Sequence, residues 1–467
     1  MKLIKFININ LFLFLLLTSC TNNCTDPVEN ETPNKLYPYE ITYDEATFKH
    51  RRDALLNRVP DNSIILIVTN DIYNRNDDID YAFRPSSNFY YLTGFDEPNA
   101  IAIIRESDGI PNESELIMFV ENREGGALQW LGPVYGTEGA MEYFFADMAY
   151  NYEDFTTIVE DYVENDDVIY SNIEINQTVL EIFNEIGLQS LDLRELDETI
   201  NELRKIKSSI EISAIQNAVD VSIQAFQEAL KIIEPNTYEY EVEATFNYIT
   251  SLNGCPNKAF PTIVASGPNI NILHYQNNDR KMLDGELVMI DFGAEYGYYA
   301  SDITRTIPVN GKFTNEQAIV YNIVLEAHKK AIANAAPGVS YYDLYWQNVE
   351  FIIDKLLEKE IISGVRDEII SSGRYRQYVV AGLGHCVGLD VHDPFPKQLN
   401  GDKILEENMV LAFEPHIYLF EGDQTVNSNY WKVSARIEDD ILITATGSEI
   451  LSSDLPIEID SIEELMK

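Results

Sequence analysis

Asp291 sits in the apolar run Glu286-Leu-Val-Met-Ile-Asp-Phe-Gly-Ala-Glu. A lone carboxylate buried there would cost several kcal/mol unless it were paired or bound to a metal. Eleven residues on, Asp302 stands in Tyr298-Tyr-Ala-Ser-Asp-Ile-Thr-Arg-Thr, which reads as the returning strand of a hairpin turning through 295–297. That turn brings two carboxylates together, and two ionised carboxylates in close contact need a cation between them. Glu414 in Val410-Leu-Ala-Phe-Glu-Pro and Glu438 in Ala435-Arg-Ile-Glu-Asp-Asp repeat the pattern of an acid on an apolar strand. The chain has only six histidines, and His385 lies in Ala381-Gly-Leu-Gly-His-Cys-Val-Gly-Leu-Asp-Val-His392-Asp, with His274 in Asn271-Ile-Leu-His-Tyr. Taken singly, each acid reads as an exposed or capped carboxylate and each histidine as a satisfied core residue. Together, two Asp, two Glu and one His suit two hard-to-borderline divalent ions. Mn2+ is the first expectation, with Co2+, Fe2+ or Zn2+ as alternatives. Two such ions are the equipment of a hydrolase.

These residues need a scaffold of strands. Ser63–Thr69, Ala100–Ile104 and Glu115–Val120 read as buried strands and Asp167–Ser171 as a fourth. Helical patterns around Glu45–Arg58, Ala140–Ala149 and Thr178–Ile186 separate them, giving an α/β unit that ends near residue 200. One long helical pattern then runs from about Asp192 to Ile233 until Pro235 and Asn236 stop it. Beyond it, helices at Val242–Leu252, Asn315–Ala333 and Tyr342–Leu357 alternate with strands at Leu287–Phe292, Tyr299–Pro308, Val410–Tyr418 and Ala435–Ala445. Short turns between adjacent strands predict a largely antiparallel sheet in an α+β unit.

Residues 204–467 resemble the pita-bread metallopeptidases, aminopeptidase P and prolidase in particular. The runs that carry the resemblance are Leu203-Arg-Lys-Ile-Lys-Ser, Leu273-His-Tyr, Leu287-Val-Met-Ile-Asp-Phe-Gly-Ala-Glu-Tyr, Ser301-Asp-Ile-Thr-Arg-Thr-Ile-Pro-Val-Asn-Gly-Lys-Phe and Arg436-Ile-Glu-Asp-Asp. Phe83–Pro98 resembles the amino-terminal domain of aminopeptidase P. The resemblance implies an α/β amino-terminal domain over 39–203 and an α+β pita-bread catalytic domain over 204–467. It implies Asp291 as a bidentate ligand of one ion, Asp302 and Glu438 as bridges, and His385 and Glu414 as completing the second ion's shell. It further implies that His274 and His392 contact substrate, that Arg436 orders the site, and that Glu414 accepts the proton of the attacking water. The implied substrate is a peptide with proline in second position, cut by an Xaa-Pro aminopeptidase; a prolidase or a weakened binding protein are the alternatives.

Two departures matter. The family's His-Gly-x-Gly-His is Ala381-Gly-Leu-Gly-His385 here, and its Glu-Pro-Gly is Glu414-Pro-His416. The first histidine, a substrate-side donor, is therefore missing, and His416 is expected either as an exposed strand residue or as a relocated donor facing the site.

Lys2 and Lys5 precede a short apolar stretch ending in Leu17-Thr-Ser-Cys20, which resembles a bacterial lipobox. Residues 1–19 are expected as a signal peptide, Cys20 as a lipidated first residue, and 20–38 as a tether. This gives a lipid-anchored protein of the bacterial cell envelope, on its periplasmic or outer-membrane face, and a homo-oligomer is expected. The 467 residues carry 33 Lys+Arg against 77 Asp+Glu, a net charge of −44. That excludes non-specific nucleic-acid binding, which draws on cation–phosphate contacts.

Overall fold

The structure is a computed structural model describing residues 44–467 except 62, 108–112, 164–166, 173–182, 185–186, 188–191 and 396–402. The expected signal peptide and tether, and most of the expected helix at 178–186, lie outside the described residues. Among those described, no helix is long and apolar enough to cross a membrane.

Helix α1 (Glu45–Leu56) opens the amino-terminal unit, started by Asp44, whose carboxylate accepts from the Thr47 amide. Strands β1 (Ile64–Val68), β2 (Ile101–Glu106), β3 (Ser114–Val120), β4 (Met148–Asn151), β5 (Val168–Ser171) and β6 (Asp192–Glu195) form one sheet in the order β4-β3-β2-β1-β5-β6. The β1–β2 and β2–β3 pairs are antiparallel and the other three parallel. Alternate residues feed two cores. Ile65, Ile67, Ala102 and Ile104 join the main core, while Ile64, Leu66, Ile101 and Ile103 pack with Phe155 and Val159 on the other face. Burial on both faces explains the continuous apolar runs. The short helix α2 (Ser87–Thr93) reaches the second unit through its first residue, Ser87, which donates to Asp390.

The long helical pattern from Asp192 is three elements. Residues Asp192–Glu195 are strand β6, Asp197–Arg204 form α3, and Ser209–Leu230 form α4. The break is a capping box: the Ser208 side chain accepts from the Glu211 amide, and the Glu211 carboxylate accepts from the Ser208 amide at 2.8 Å. The expected helix at Ala140–Ala149 also ends early, at Tyr143, and Met148 begins β4.

Two main antiparallel sheets and two smaller two-stranded ones make the second unit among the described residues, with α4, α5 (Glu239–Leu252), α6 (Asn315–Asn334) and α7 (Tyr341–Glu358) beside them. Strands β7 (Ile263–Ser266), β8 (Leu287–Phe292) and β9 (Ile303–Pro308) are ordered β9-β8-β7. Strands β10 (Gly384–Cys386) and β11 (Val410–Phe413) belong to the other sheet, and β12 (His416–Ile417) pairs with β13 (Ala435–Arg436). Strands β14 (Asp439–Thr444) and β15 (Gly447–Ile450) complete the order β10-β11-β14-β15. The runs 410–418 and 435–445, each expected as one strand, therefore split. Pro415 has no amide to donate, so the chain changes partner there. Glu438 falls in the second gap and bridges to Thr304 of β9, joining the two sheets at the site.

Candidate active site

Strand β8 is buried at all six positions, and Asp291 lies in register with Thr304 of β9. The chain returns through a hairpin in which Glu295–Tyr296 pairs with Tyr299–Ala300. Gly297 and Tyr298 both have positive φ, 54° and 69°, as a tight two-residue hairpin requires. At Gly293 a Cβ would lie 1.7 Å from the Ser301 carbonyl oxygen, so only glycine lets the returning chain close over the site. That closure puts Asp302 beside Asp291, with its amide donating to Asp440 Oδ2 at 2.9 Å.

Three groups of side chains each bring ligand-type atoms within 4.8 Å of one another: Asp291, Asp302 and Glu438; His385, Glu414 and Glu438; and Asp302, His385 and His392. The Nδ1 of His385 lies 3.0 Å from the Cys386 carbonyl oxygen, which can only accept, so the proton sits there. The lone pair on Nε2 then faces Asp302 at 3.4 Å and Glu438 at 4.0 Å. Buried Oδ1 atoms of Asp291 and Asp302 have no hydrogen-bond partner among the described residues. Unpartnered oxygens in a buried carboxylate cluster fit a divalent cation.

The electrostatics agree. Burial, then the charge of Glu438, pushes Asp302 well above its ordinary value, and burial, then Glu414, does the same to Glu438. Burial lifts Glu414 to about 7 against the pull of Arg436. Burial and then His392 lower His385 to about 4, keeping it neutral and able to ligate. Burial works against the charge on Arg436, but Tyr418 and the carboxylates Asp291, Glu438 and Glu414 hold its pKa well above normal. Its guanidinium is bonded to Asp291 and donates from Nε to Thr304 Oγ1 at 3.1 Å.

Residues 213–445 match the pattern of metallopeptidase family M24, and residues 48–170 match the aminopeptidase P amino-terminal domain. A Xaa-Pro aminopeptidase of Haemophilus influenzae is 35% identical over 428 residues, 92% of this chain and 99% of that protein. The Xaa-Pro aminopeptidase of Escherichia coli is 34% identical over 431 residues, covering 90% and 97%. The solved Escherichia coli aminopeptidase P with the inhibitor Pro-Leu superposes with a TM-score of 0.86 at 32% identity, over 91% of this chain and 98% of that one. The chain belongs to metallopeptidase family M24.

In this M24 chain the structure brings together all five residues expected as ligands, with Arg436 directly behind Asp291. His392 is exposed, and its ring stacks on His385 with centroids 3.9 Å apart. Burial and then the charge of His274 lower its pKa. His274 is exposed in a surface cavity lined also by Tyr275, Asn269 and Arg280.

His416 corrects both expectations. It is 1% exposed, so it is not a surface residue. Nor does it face the site with a free donor. Its Nδ1 donates to the Glu414 carbonyl oxygen at 2.9 Å, and its Nε2 accepts from the Val380 and Ala381 amides, both at 3.1 Å. The ring ties the segment leading to His385 to the backbone of Glu414.

Sequence reasoning missed the residues that orient the acids. Thr304 Oγ1 donates to Glu438 Oε2 at 2.6 Å while accepting from Arg436. Arg305 donates to the Glu438 carbonyl oxygen at 2.7 Å and to Asp439 Oδ1 at 2.6 Å, and His328 reaches Asp439 at 3.2 Å. The available signal was polar side chains on β9, a strand buried along its whole length.

Proposed function

We propose that the protein removes an amino-terminal residue from peptides whose second residue is proline, using two divalent ions held by Asp291, Asp302, His385, Glu414 and Glu438. The reading rests above all on the buried carboxylate cluster with its unpartnered oxygens, in a chain similar to Xaa-Pro aminopeptidases over nearly its whole length. The ions, when bound, supply an activated water and stabilise negative charge on the carbonyl oxygen. The chain's own residues do the rest. Glu414 would take a proton at its carboxylate and return it to the departing nitrogen. Arg436 fixes Asp291 and, through Thr304, Glu438, so the carboxylates keep one geometry. His392, exposed and stacked on His385, can orient the peptide, and the family resemblance assigns the same task to His274, whose charge reaches His392. A dedicated enzyme is needed because a prolyl nitrogen carries no hydrogen for general peptidases to recognise.

Ala381 removes one donor that the family resemblance implies, which favours a slower or re-specified enzyme as the second reading. The test is a panel of Xaa-Pro dipeptides, Xaa-Pro tripeptides and Xaa-Ala controls with Mn2+. Cleavage of Xaa-Pro tripeptides but not controls supports the proposal. Cleavage of dipeptides alone means a prolidase, and metal binding without cleavage means a binding protein. We also infer from the Leu17–Cys20 motif that Cys20 is lipidated and tethers the enzyme to the bacterial envelope.

A further inference from the structure

The loop from Val387 to His392 leaves β10 just after His385 and Cys386. It is closed at its far end by the Asp393 amide, which donates to the Cys386 carbonyl oxygen at 2.9 Å. Because the His392 ring stacks on His385, the shape of this loop sets where His392 stands over the acids.

The loop is gripped from outside the catalytic sheets. The Asp393 carboxylate is buried, with Oδ1 accepting from Arg204 Nη2 at 2.5 Å and from the Asp390 amide at 3.2 Å, and Oδ2 accepting from Lys207 Nζ at 3.0 Å. Arg204 ends α3 and Lys207 precedes α4, so both cations come from the joint between the two units. Arg204 also donates to Asp390 Oδ2 at 2.7 Å and to Asn88 Oδ1 at 2.8 Å. From the amino-terminal unit, Ser87 Oγ donates to Asp390 Oδ1 at 2.6 Å and Arg84 donates to the Leu389 carbonyl oxygen. A Cβ on Gly388 would fall 2.7–2.8 Å from the Asp393 carboxyl atoms, so the loop folds directly onto that carboxylate. The acid beside the active-site histidine is thus satisfied entirely by groups that touch no ion site.

We propose that Asp393 is a positioning residue for His392. Clamped between Arg204 and Lys207, it fixes the 387–392 loop and, through Asp390, Ser87 and Arg84, couples the amino-terminal unit to the handling of substrate. The inference rests on the reading of His392 as substrate-facing. A residue that acts through His392 loses its effect once His392 is gone, whereas a merely structural residue does not.

The experiment compares Asp393→Asn, His392→Ala and the double variant for kcat/KM on an Xaa-Pro tripeptide at matched metal content, together with a crystal structure of Asp393→Asn. Asp393→Asn alone is expected to lower kcat/KM by about 10–100-fold, the scale for groups that orient site residues, while adding no more than about 3-fold in the His392→Ala background. The structure is expected to show His392 displaced from the face of His385. Ser87→Ala, which leaves the buried ion pairs intact, is expected to lower kcat/KM several-fold with the same dependence on His392. It carries the test if Asp393→Asn does not fold. Equal losses in both backgrounds, or unchanged kcat/KM with His392 still stacked, would overturn the proposal. A wild-type protein inactive on every Xaa-Pro peptide refutes the functional reading instead, and the crystallographic arm still decides whether Asp393 holds His392.

Discussion

Asp302 lies with Asp291 and Glu438 in one group able to hold an ion and with His385 in another, which supports the proposed role of Asp302 as a bridge between two ions. Asp302→Ala is therefore expected to lower bound metal from two ions per chain to near none. Elemental analysis after gel filtration checks this, and one ion retained would mean that Asp302 does not bridge. His416 makes a different kind of contribution. Its ring satisfies the Val380 and Ala381 amides and the Glu414 carbonyl, so His416→Gly orphans three backbone groups. At about 1–3 kcal/mol for a buried unmet group, with solvent repairing part of the loss, roughly 2–4 kcal/mol of stability should go. Adding Ala381→His should not recover it, because the ring acts on backbone rather than on substrate. Urea denaturation of the single and double variants measures this, and recovery in the double variant would restore the relocated-donor idea.

At the scale of elements, the ligands are held by strands that approach too closely for side chains. A Cβ on Gly384 would lie 1.8 Å from the Ala412 carbonyl oxygen, so Gly384→Ala must push β10 off β11 and move His385 with it. A loss of at least about 3 kcal/mol is expected, with weakened metal binding, since backbone atoms cannot yield as side chains can. Thermal unfolding with and without Mn2+ checks both effects. The same closeness explains what was legible in the sequence. Asp291 stood out because a charge in Leu287-Val-Met-Ile needs a reason, and the hairpin to Asp302 followed from the glycine turn. The splits at Pro415 and Glu438 were hidden because buried strands that change partner keep their apolar composition. The break at Ser208 was legible in principle, since Ser208-Ser-Ile-Glu211 has the spacing of a capping box, but the apolar period running across it masked the signal.

Across the whole molecule, a carboxylate cluster shared between two sheets makes stability depend on metal and pH together. Burial and mutual repulsion raise Asp302 and Glu438 above their ordinary values in the metal-free protein. Groups raised in this way contribute stability that is complete below the unfolded-state pKa, near 4, and is lost as pH rises through the folded-state pKa. A bound cation removes that penalty. The gain in Tm on adding Mn2+ should therefore grow from about pH 5 to about pH 8, and a gain that shrinks with pH would contradict this reading. The clamp across the two units was not legible, because Arg204, Lys207 and Asp393 lie far apart in sequence and their meeting is a property of the fold. At the same scale, Cys20→Ser should release the protein from membranes or leave its signal uncleaved, and fractionation of wild type and variant reads this out. The five-residue cluster is proposed as a two-ion centre for cutting the bond before proline. The most direct measurement is hydrolysis of an Xaa-Pro tripeptide by metal-free protein titrated with Mn2+, run beside Asp302→Ala. Negligible activity is expected without metal, rising to a plateau near two equivalents per chain, with none in Asp302→Ala at any metal level. Undiminished cleavage by the metal-free protein, or by Asp302→Ala, would contradict the two-ion centre.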